Sequence, residues 1–283
     1  MRLNNIVTKS SPLYYFFDCV DYLAKKLWLE GNTGSVTAIL DYEDIYPYFE
    51  DHYNNKEYKL GYEVPNLSDC YILVTGNNIP LRNLQKFKFK VHKMIGIIRI
   101  NFRGDGYKIL WGFKDQEVEP TRYLELHLKA HNHAISKNEM HRIITHAHPT
   151  NLMMKTMTDH MNDENVFSYD LWDAMPHIME FIPHGVGLVD KYFLKQSWDD
   201  VAQKFLNKDL VVLKHHGLIA AAKDFDEIIG VYEIIDKAAN ISMKVRKEPW
   251  AYSPEFLAER AKNSNWDISP EILEVGQKPK PKE

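Results

Sequence analysis

The sequence predicts one α/β domain with a short C-terminal tail. Three observations predict it. Helical stripes sit near both ends, short apolar runs bounded by Gly, Asn or Pro lie between them, and neither an internal repeat nor a Gly/Ser/Pro-rich linker divides residues 1–270. A chain of 283 residues is long enough to bury one full core without disulfides.

Ser10-Ser11-Pro12 opens the first helix, and Leu13, Phe16, Phe17, Val20, Leu23, Ala24 and Leu27 give it one apolar stripe. Glu30–Ser35 breaks it, and Val36–Leu40 reads as a strand. Residues 41–70 are rich in Tyr, Asp, Asn and Pro and read as an irregular excursion. Tyr71–Thr75 is a strand stopped by Gly76-Asn77-Asn78. Ile95–Phe102 and Tyr107–Trp111 form a predicted hairpin around Arg103-Gly104-Asp105-Gly106. A helix follows Pro120-Thr121 and runs to about Ser136. Arg142–Thr145 is a strand, Pro149–His160 and Trp198–Leu206 are helices, and Leu210–Leu213 is a strand ended at Gly217. The last long helix starts near Asp224 and carries Ile228, Ile229, Tyr232, Ile235, Ala238 and Ile241 on one face. Gln277–Glu283 alternates Lys with Pro and predicts disorder.

Hydrophobic residues at 45% and charged residues at 26% are ordinary for a soluble globular protein. A net charge of -4 without a Lys/Arg block argues against a nucleic-acid or membrane-surface binder. Cys19 and Cys70 are too few for a disulfide framework and fit a reducing compartment. No basic-then-apolar leader and no membrane-length apolar run is visible, which predicts a cytoplasmic protein.

The unusual count is 13 histidines. His146-Ala147-His148 ends a predicted strand, where residues i and i+2 share a face about 7 Å apart. A second strand runs into Lys214-His215-His216-Gly217. Two strand ends delivering imidazoles fit a His₃ metal site with an open position for substrate. A core histidine bonded to a carbonyl accounts for His215 or His216 as well. His131-Asn132-His133 has the same spacing but lies in a helical pattern, where i and i+2 do not face each other. Glu30–Ser35 and Val74–Asn78 are Gly/Asn/Ser/Thr loops beside strands, able to cradle a phosphate or to serve as plain turns.

Five stretches in order resemble the class II sugar-phosphate aldolases, most closely their rhamnulose-phosphate branch. They are Gly106–Gly112, Thr145–Leu152, Leu171-Trp172-Asp173, Pro183–Gly187 and His216-Gly217, within a resemblance from about Leu23 to Arg246. The resemblance implies a three-layer αβα sandwich around a mostly antiparallel sheet over residues 1–270, with 271–283 as the tail. It implies a homotetramer with active sites at subunit interfaces and one zinc ion per subunit. The implied reaction is reversible cleavage of a ketose 1-phosphate, L-rhamnulose 1-phosphate in that branch, to dihydroxyacetone phosphate and an aldehyde, L-lactaldehyde. Carried over by position, His146, His148 and His216 are the zinc ligands. Asn32, Gly34, Ser35, Thr75, Gly76, Asn77, Thr121 and Arg122 are the phosphate side. Asp173 stands where that branch has a glutamate reaching a neighbouring subunit's site.

One departure matters. The family's Pro-Thr/Ser-Ser-Glu supplies an acid/base glutamate, but this chain reads Pro120-Thr121-Arg122-Tyr123. Tyr123 takes the glutamate's place. Glu125 is the nearest carboxylate, and it enters the site if the chain there is extended. In a helix, two residues turn it about 200° away. The sequence is therefore read with Glu125 as acid/base and Tyr123 as its rival. Related epimerases or aldolases for another ketose phosphate share this chemistry, and adducin-type heads use the fold without it.

Overall fold

The computed structural model describes residues 11–45, 56–113, 118–158, 162–190, 197–245 and 250–279. Its α/β fold is built on a nine-stranded, mostly antiparallel sheet, as expected. The elements in chain order are α1 (Ser11–Lys25), β1 (Ser35–Leu40), α2 (Tyr42–Ile45), β2 (Glu57–Lys59), β3 (Tyr71–Thr75), β4 (Ile95–Ile100), β5 (Gly106–Gly112), α3 (Leu124–Lys137) and β6 (Ile143–Ala147). Then follow α4 (Thr150–Lys155), α5 (Glu164–Ala174), β7 (Gly187–Val189), α6 (Ser197–Lys204), β8 (Leu210–Leu213), β9 (Gly217–Ala222), α7 (Phe225–Lys244), α8 (Pro254–Asn263) and α9 (Pro270–Val275). The sheet order is β2-β5-β4-β3-β1-β6-β9-β8-β7. β1 runs antiparallel to both β3 and β6, while β7 and β8 are parallel.

By contact density the chain divides into two compact units. The first comprises residues 1–147 and 220–229. Its core gathers Ile72, Val74, Ile98 and Ile100 of the sheet with Leu124 and Leu128 of α3. The turn at Arg103–Gly106 forms as predicted, with Gly104 at φ 71° and its N–H donating to the Asn101 carbonyl at 3.0 Å. Leu27 does not join the stripe of α1. The helix stops at Lys25, and Leu27 sits at φ 62° with 76% of its surface exposed.

A buried imidazole–hydroxyl network ties α3 to β1. His127 and His131 lie one helical turn apart, and Ser35 and Thr37 share one face of the strand. The Ser35 hydroxyl meets His127 Nε2 at 2.7 Å, and the Thr37 hydroxyl meets His127 Nδ1 at 2.8 Å and His131 Nε2 at 2.9 Å. Burial pulls both imidazoles down to about 3, so both are neutral at pH 7. The unfolded chain takes these protons near pH 6.5, and the folded one refuses them until about 3. This contribution is therefore whole above pH 6.5 and is lost as pH falls, by up to about 1.4 kcal/mol per pH unit for each imidazole. Urea unfolding at pH 7.5 and pH 5 is expected to show a clearly lower midpoint at pH 5. Equal midpoints would mean that the imidazoles are not held neutral.

The second unit comprises residues 148–219 and 230–283. Phe167, Tyr169, Trp172, Phe205, Tyr232 and Ile235 are buried in its core. Asp163 caps α5, its Oδ1 accepting the N–H of Asn165 at 2.8 Å and of Val166 at 3.0 Å. The helix predicted to His160 stops at Lys155, and residues 159–161 lie outside the described ones. Gly217 does not end the strand pair but starts β9. Within the stretch read as a tail, Pro270–Val275 is helical with Ile272 buried, and residues 280–283 lie outside the described ones. Among the described residues no helix is long and apolar enough to cross a membrane.

Candidate metal centre

β6 is buried along its whole length and delivers His146 near its end, with His148 two residues on. Both are buried, at 1% and 3% exposure. β8 ends at Leu213, and the turn Lys214-His215-His216 leads into β9. The rings of His148 and His216 lie 4.7 Å apart at 55°. One ring nitrogen from each of His146, His148 and His216 falls within 4.8 Å of the other two. Tetrahedral zinc with Zn–N near 2.1 Å would set such nitrogens about 3.4 Å apart. Three imidazoles gathered this closely could hold a divalent ion, which would keep a position for an oxygen of the substrate. His215 points elsewhere: it is exposed and lies outside this cluster. The decoy pair behaves as a helix dictates, with His131 fully buried and His133 only half-buried.

The loops beside His146 are placed by strand register. Ser35 pairs with His146 across β1 and β6, so the Glu30–Gly34 loop ends next to that ligand. Gly34 has φ 81°, and a Cβ there would come within 2.3 Å of Leu29 Cδ2 and 3.1 Å of the His146 carbonyl. Only glycine fits. Val36 faces Thr75 from the neighbouring strand, and the Thr121 N–H donates to the Thr75 carbonyl at 2.9 Å. The segments around 34, 76 and 121 thus lie together at one end of β1 and β3.

The residues expected on the phosphate side divide into buried and exposed ones in the structure. Ser35, Thr75 and Thr121 are buried, and their hydroxyls engage His127, the Val36 N–H and the Tyr123 N–H. The Gly76 N–H donates to the Met94 carbonyl and the Asn77 N–H to the Glu119 carbonyl, both at 2.8 Å. These contacts hold the loops in place. Asn32 and Arg122 remain exposed, and the Asn77 side chain is half-buried.

The structure places the candidate catalytic residues differently from one another. α3 starts directly after Tyr123, so Glu125 is already on the helix. Its carboxylate pairs with Lys129 at 2.9 Å, one turn on, and helps burial push the Tyr62 phenol above its ordinary range. Glu125 thus faces the Tyr62 side. Tyr123 instead lies against a ligand, its ring edge-on to His146 with centroids 5.2 Å apart, and the Arg122 guanidinium stands 5.2 Å from the Tyr123 ring centre. Asp173 is 5% exposed and its Oδ1 accepts the Tyr252 N–H at 2.7 Å.

Residues 16–243 match the Class II Aldolase and Adducin N-terminal domain. The chain belongs to the class II aldolase family. Within it the chain is an aldolase, a lyase. Rhamnulose-1-phosphate aldolase of Escherichia coli O1:K1 is 32% identical over 226 residues, covering 78% of this chain and 80% of that protein. The protein of that name in E. coli strain K12 is 31% identical, with the same coverage. A sugar-phosphate aldolase from Thermotoga maritima has the same fold at TM-score 0.66 and 22% identity, covering 87% of this chain and 96% of that one. YgbL of E. coli does so at TM-score 0.60 and 14% identity, covering 92% and 99%. The histidine triad lies inside the family match and gives this aldolase a place for the divalent ion that its class uses.

Proposed function

We propose that this aldolase holds zinc and reversibly cleaves L-rhamnulose 1-phosphate to dihydroxyacetone phosphate and L-lactaldehyde, as a cytoplasmic homotetramer. The observation that carries the reading is the convergence of His146, His148 and His216 in a chain whose relatives bear that activity in their name. Bound zinc would supply Lewis-acid stabilisation of the negative charge that develops on the ketose oxygens as the carbon–carbon bond breaks. Three neutral imidazoles preserve the full charge of the ion for that task.

The remaining work falls to the chain. Asn32 and Arg122 are the exposed donors at the loop edge beside His146, and they take the substrate phosphate. Cleavage leaves an electron pair on the carbon that loses the aldehyde. The phenol of Tyr123 donates its proton to that carbon to complete dihydroxyacetone phosphate. In the reverse direction its phenolate removes that proton. The substituted acid/base position also favours a second reading, in which the same site acts on a different ketose phosphate.

Release of dihydroxyacetone phosphate, followed through NADH oxidation by a coupling dehydrogenase, tests both readings. L-rhamnulose 1-phosphate should be the best substrate against L-fuculose 1-phosphate and L-ribulose 1-phosphate. Faster turnover of either of the others would replace the assignment. In the same assay Asn32→Ala is expected to raise KM about 10-fold or more with little change in kcat, since it removes binding shared by ground and transition states. An unchanged KM would take the phosphate away from Asn32.

A further inference from the structure

We infer that Thr156, the residue after α4, is a positioning residue for the metal: its hydroxyl sets the turn that presents His216. The inference rests on reading the three histidines as metal ligands.

The turn needs support. It is closed by the His216 N–H donating to the Leu213 carbonyl at 3.1 Å, with His215 inside it at φ 62°. A residue with a Cβ pays about 1 kcal/mol or more for that left-handed conformation. The His215 N–H donates to the Thr156 hydroxyl at 2.9 Å, and the same hydroxyl donates to the Met153 carbonyl at 2.7 Å. Both hydrogen-bonding directions of the hydroxyl are therefore used, and Thr156 is 1% exposed. It cannot rotate to another task without breaking a bond.

α4 makes Thr156 a firm anchor. At its front end Asp236 accepts the Asn151 N–H at 2.8 Å, the Leu152 N–H at 3.3 Å and the Asn151 side-chain amide at 2.7 Å. That carboxylate caps the helix from outside. At its rear end the buried Lys155 ammonium binds the Asp170 carboxylate and the Ser242 hydroxyl. His148 precedes α4 by one residue, Pro149. A six-residue helix, pinned at both ends, thus carries one ligand at its start and holds the other ligand's turn at its end. It sets the gap between the His148 and His216 rings. Groups that orient ligands in this way typically contribute 10- to 100-fold in metal affinity, on the order of what a second bond to a ligand does elsewhere.

Thr156→Val keeps the shape and removes the acceptor, and Thr156→Ser keeps the acceptor. Zinc affinity is read by competition with a chromophoric chelator, and ligand geometry by the visible absorption of the cobalt-loaded protein. The Val variant is expected to bind zinc about 10- to 100-fold more weakly with an altered cobalt spectrum, and the Ser variant to stay within about threefold of wild type. The Tm of the metal-free Val variant should lie within about 5 °C of wild type. Wild-type affinity in the Val variant, or equal weakening in both, would overturn the role of the hydroxyl. A larger fall in the metal-free Tm would assign Thr156 to the fold instead. If His148→Ala binds zinc as tightly as wild type, the ligand reading fails, and this inference falls with it.

Discussion

His148→Ala is expected to lose the metal and at least about 10³-fold in turnover while the protein stays folded. Two ligands remain in that variant, and two imidazoles hold a divalent ion far more weakly than three. Loss of the ion removes several kcal/mol of charge stabilisation from the transition state, and each 1.4 kcal/mol is tenfold in rate. The fold survives for a reason visible in the core. β6 packs through Ile143, Ile144 and Ala147, and α4 behind His148 is held by Asp236, Asp170 and Ser242 rather than by an ion. A chain of this size does not depend on one metal for its core. Metal content by elemental analysis, circular dichroism and the coupled assay read the three consequences together. His215→Ala is the control, since that side chain is exposed and outside the cluster, and it should retain the metal. Full metal content in His148→Ala would remove His148 from the ligand set.

Which parts of this were legible in the sequence follows from what each residue needs. The triad was legible because strand geometry alone puts His146 and His148 on one face, and a turn after β8 offers His216. α1 and α7 were legible because each keeps an exposed face opposite its stripe. α5 was not. Phe167 through Asp173 are buried without interruption, so no polar face marks a helical period. β9 was hidden for another reason. Its sequence, Gly217-Leu-Ile-Ala-Ala-Ala222, has little β preference of its own and is a strand because both neighbours in the sheet hold it. The Gly/Asn/Ser/Thr loops carry an ambiguous signal. Small polar residues beside strands look alike whether they face a ligand or, as Ser35 and Thr75 do, a buried histidine and a strand amide. The partner of the Ser35 hydroxyl, His127, lies 92 residues away along the chain, beyond any local pattern. His127 and His131 did carry a signal, an i, i+4 pair on one helical face, but their partners Ser35 and Thr37 appear only when β1 is laid against α3.

Tyr123→Phe is expected to lower kcat by about 10²- to 10⁴-fold with metal still bound, and Glu125→Gln to change it by no more than a few-fold. The contrast is a matter of helix geometry. α3 begins right after Tyr123, which leaves Tyr123 at the sheet edge with its ring against His146. Two residues later the helix has turned about 200°, and Glu125 is paired with Lys129 beside Tyr62. An i, i+4 pair of that kind contributes about 0.3–0.5 kcal/mol to stability and nothing to a proton at the substrate carbon. A phenol is a weaker acid than a carboxylic acid, so it needs a cation close by to exchange protons at neutral pH. The Arg122 guanidinium stands 5.2 Å from the Tyr123 ring centre. Removing only the hydroxyl leaves the ring packed on His146, so metal affinity should hold while turnover falls. Steady-state kcat and zinc content of the two variants separate the candidates. A large loss in Glu125→Gln with Tyr123→Phe unaffected would return the proton to the carboxylate and require the start of α3 to unwind in the working enzyme. If neither variant loses activity, the proton moves through water, and Tyr123 is a wall of the site rather than its acid.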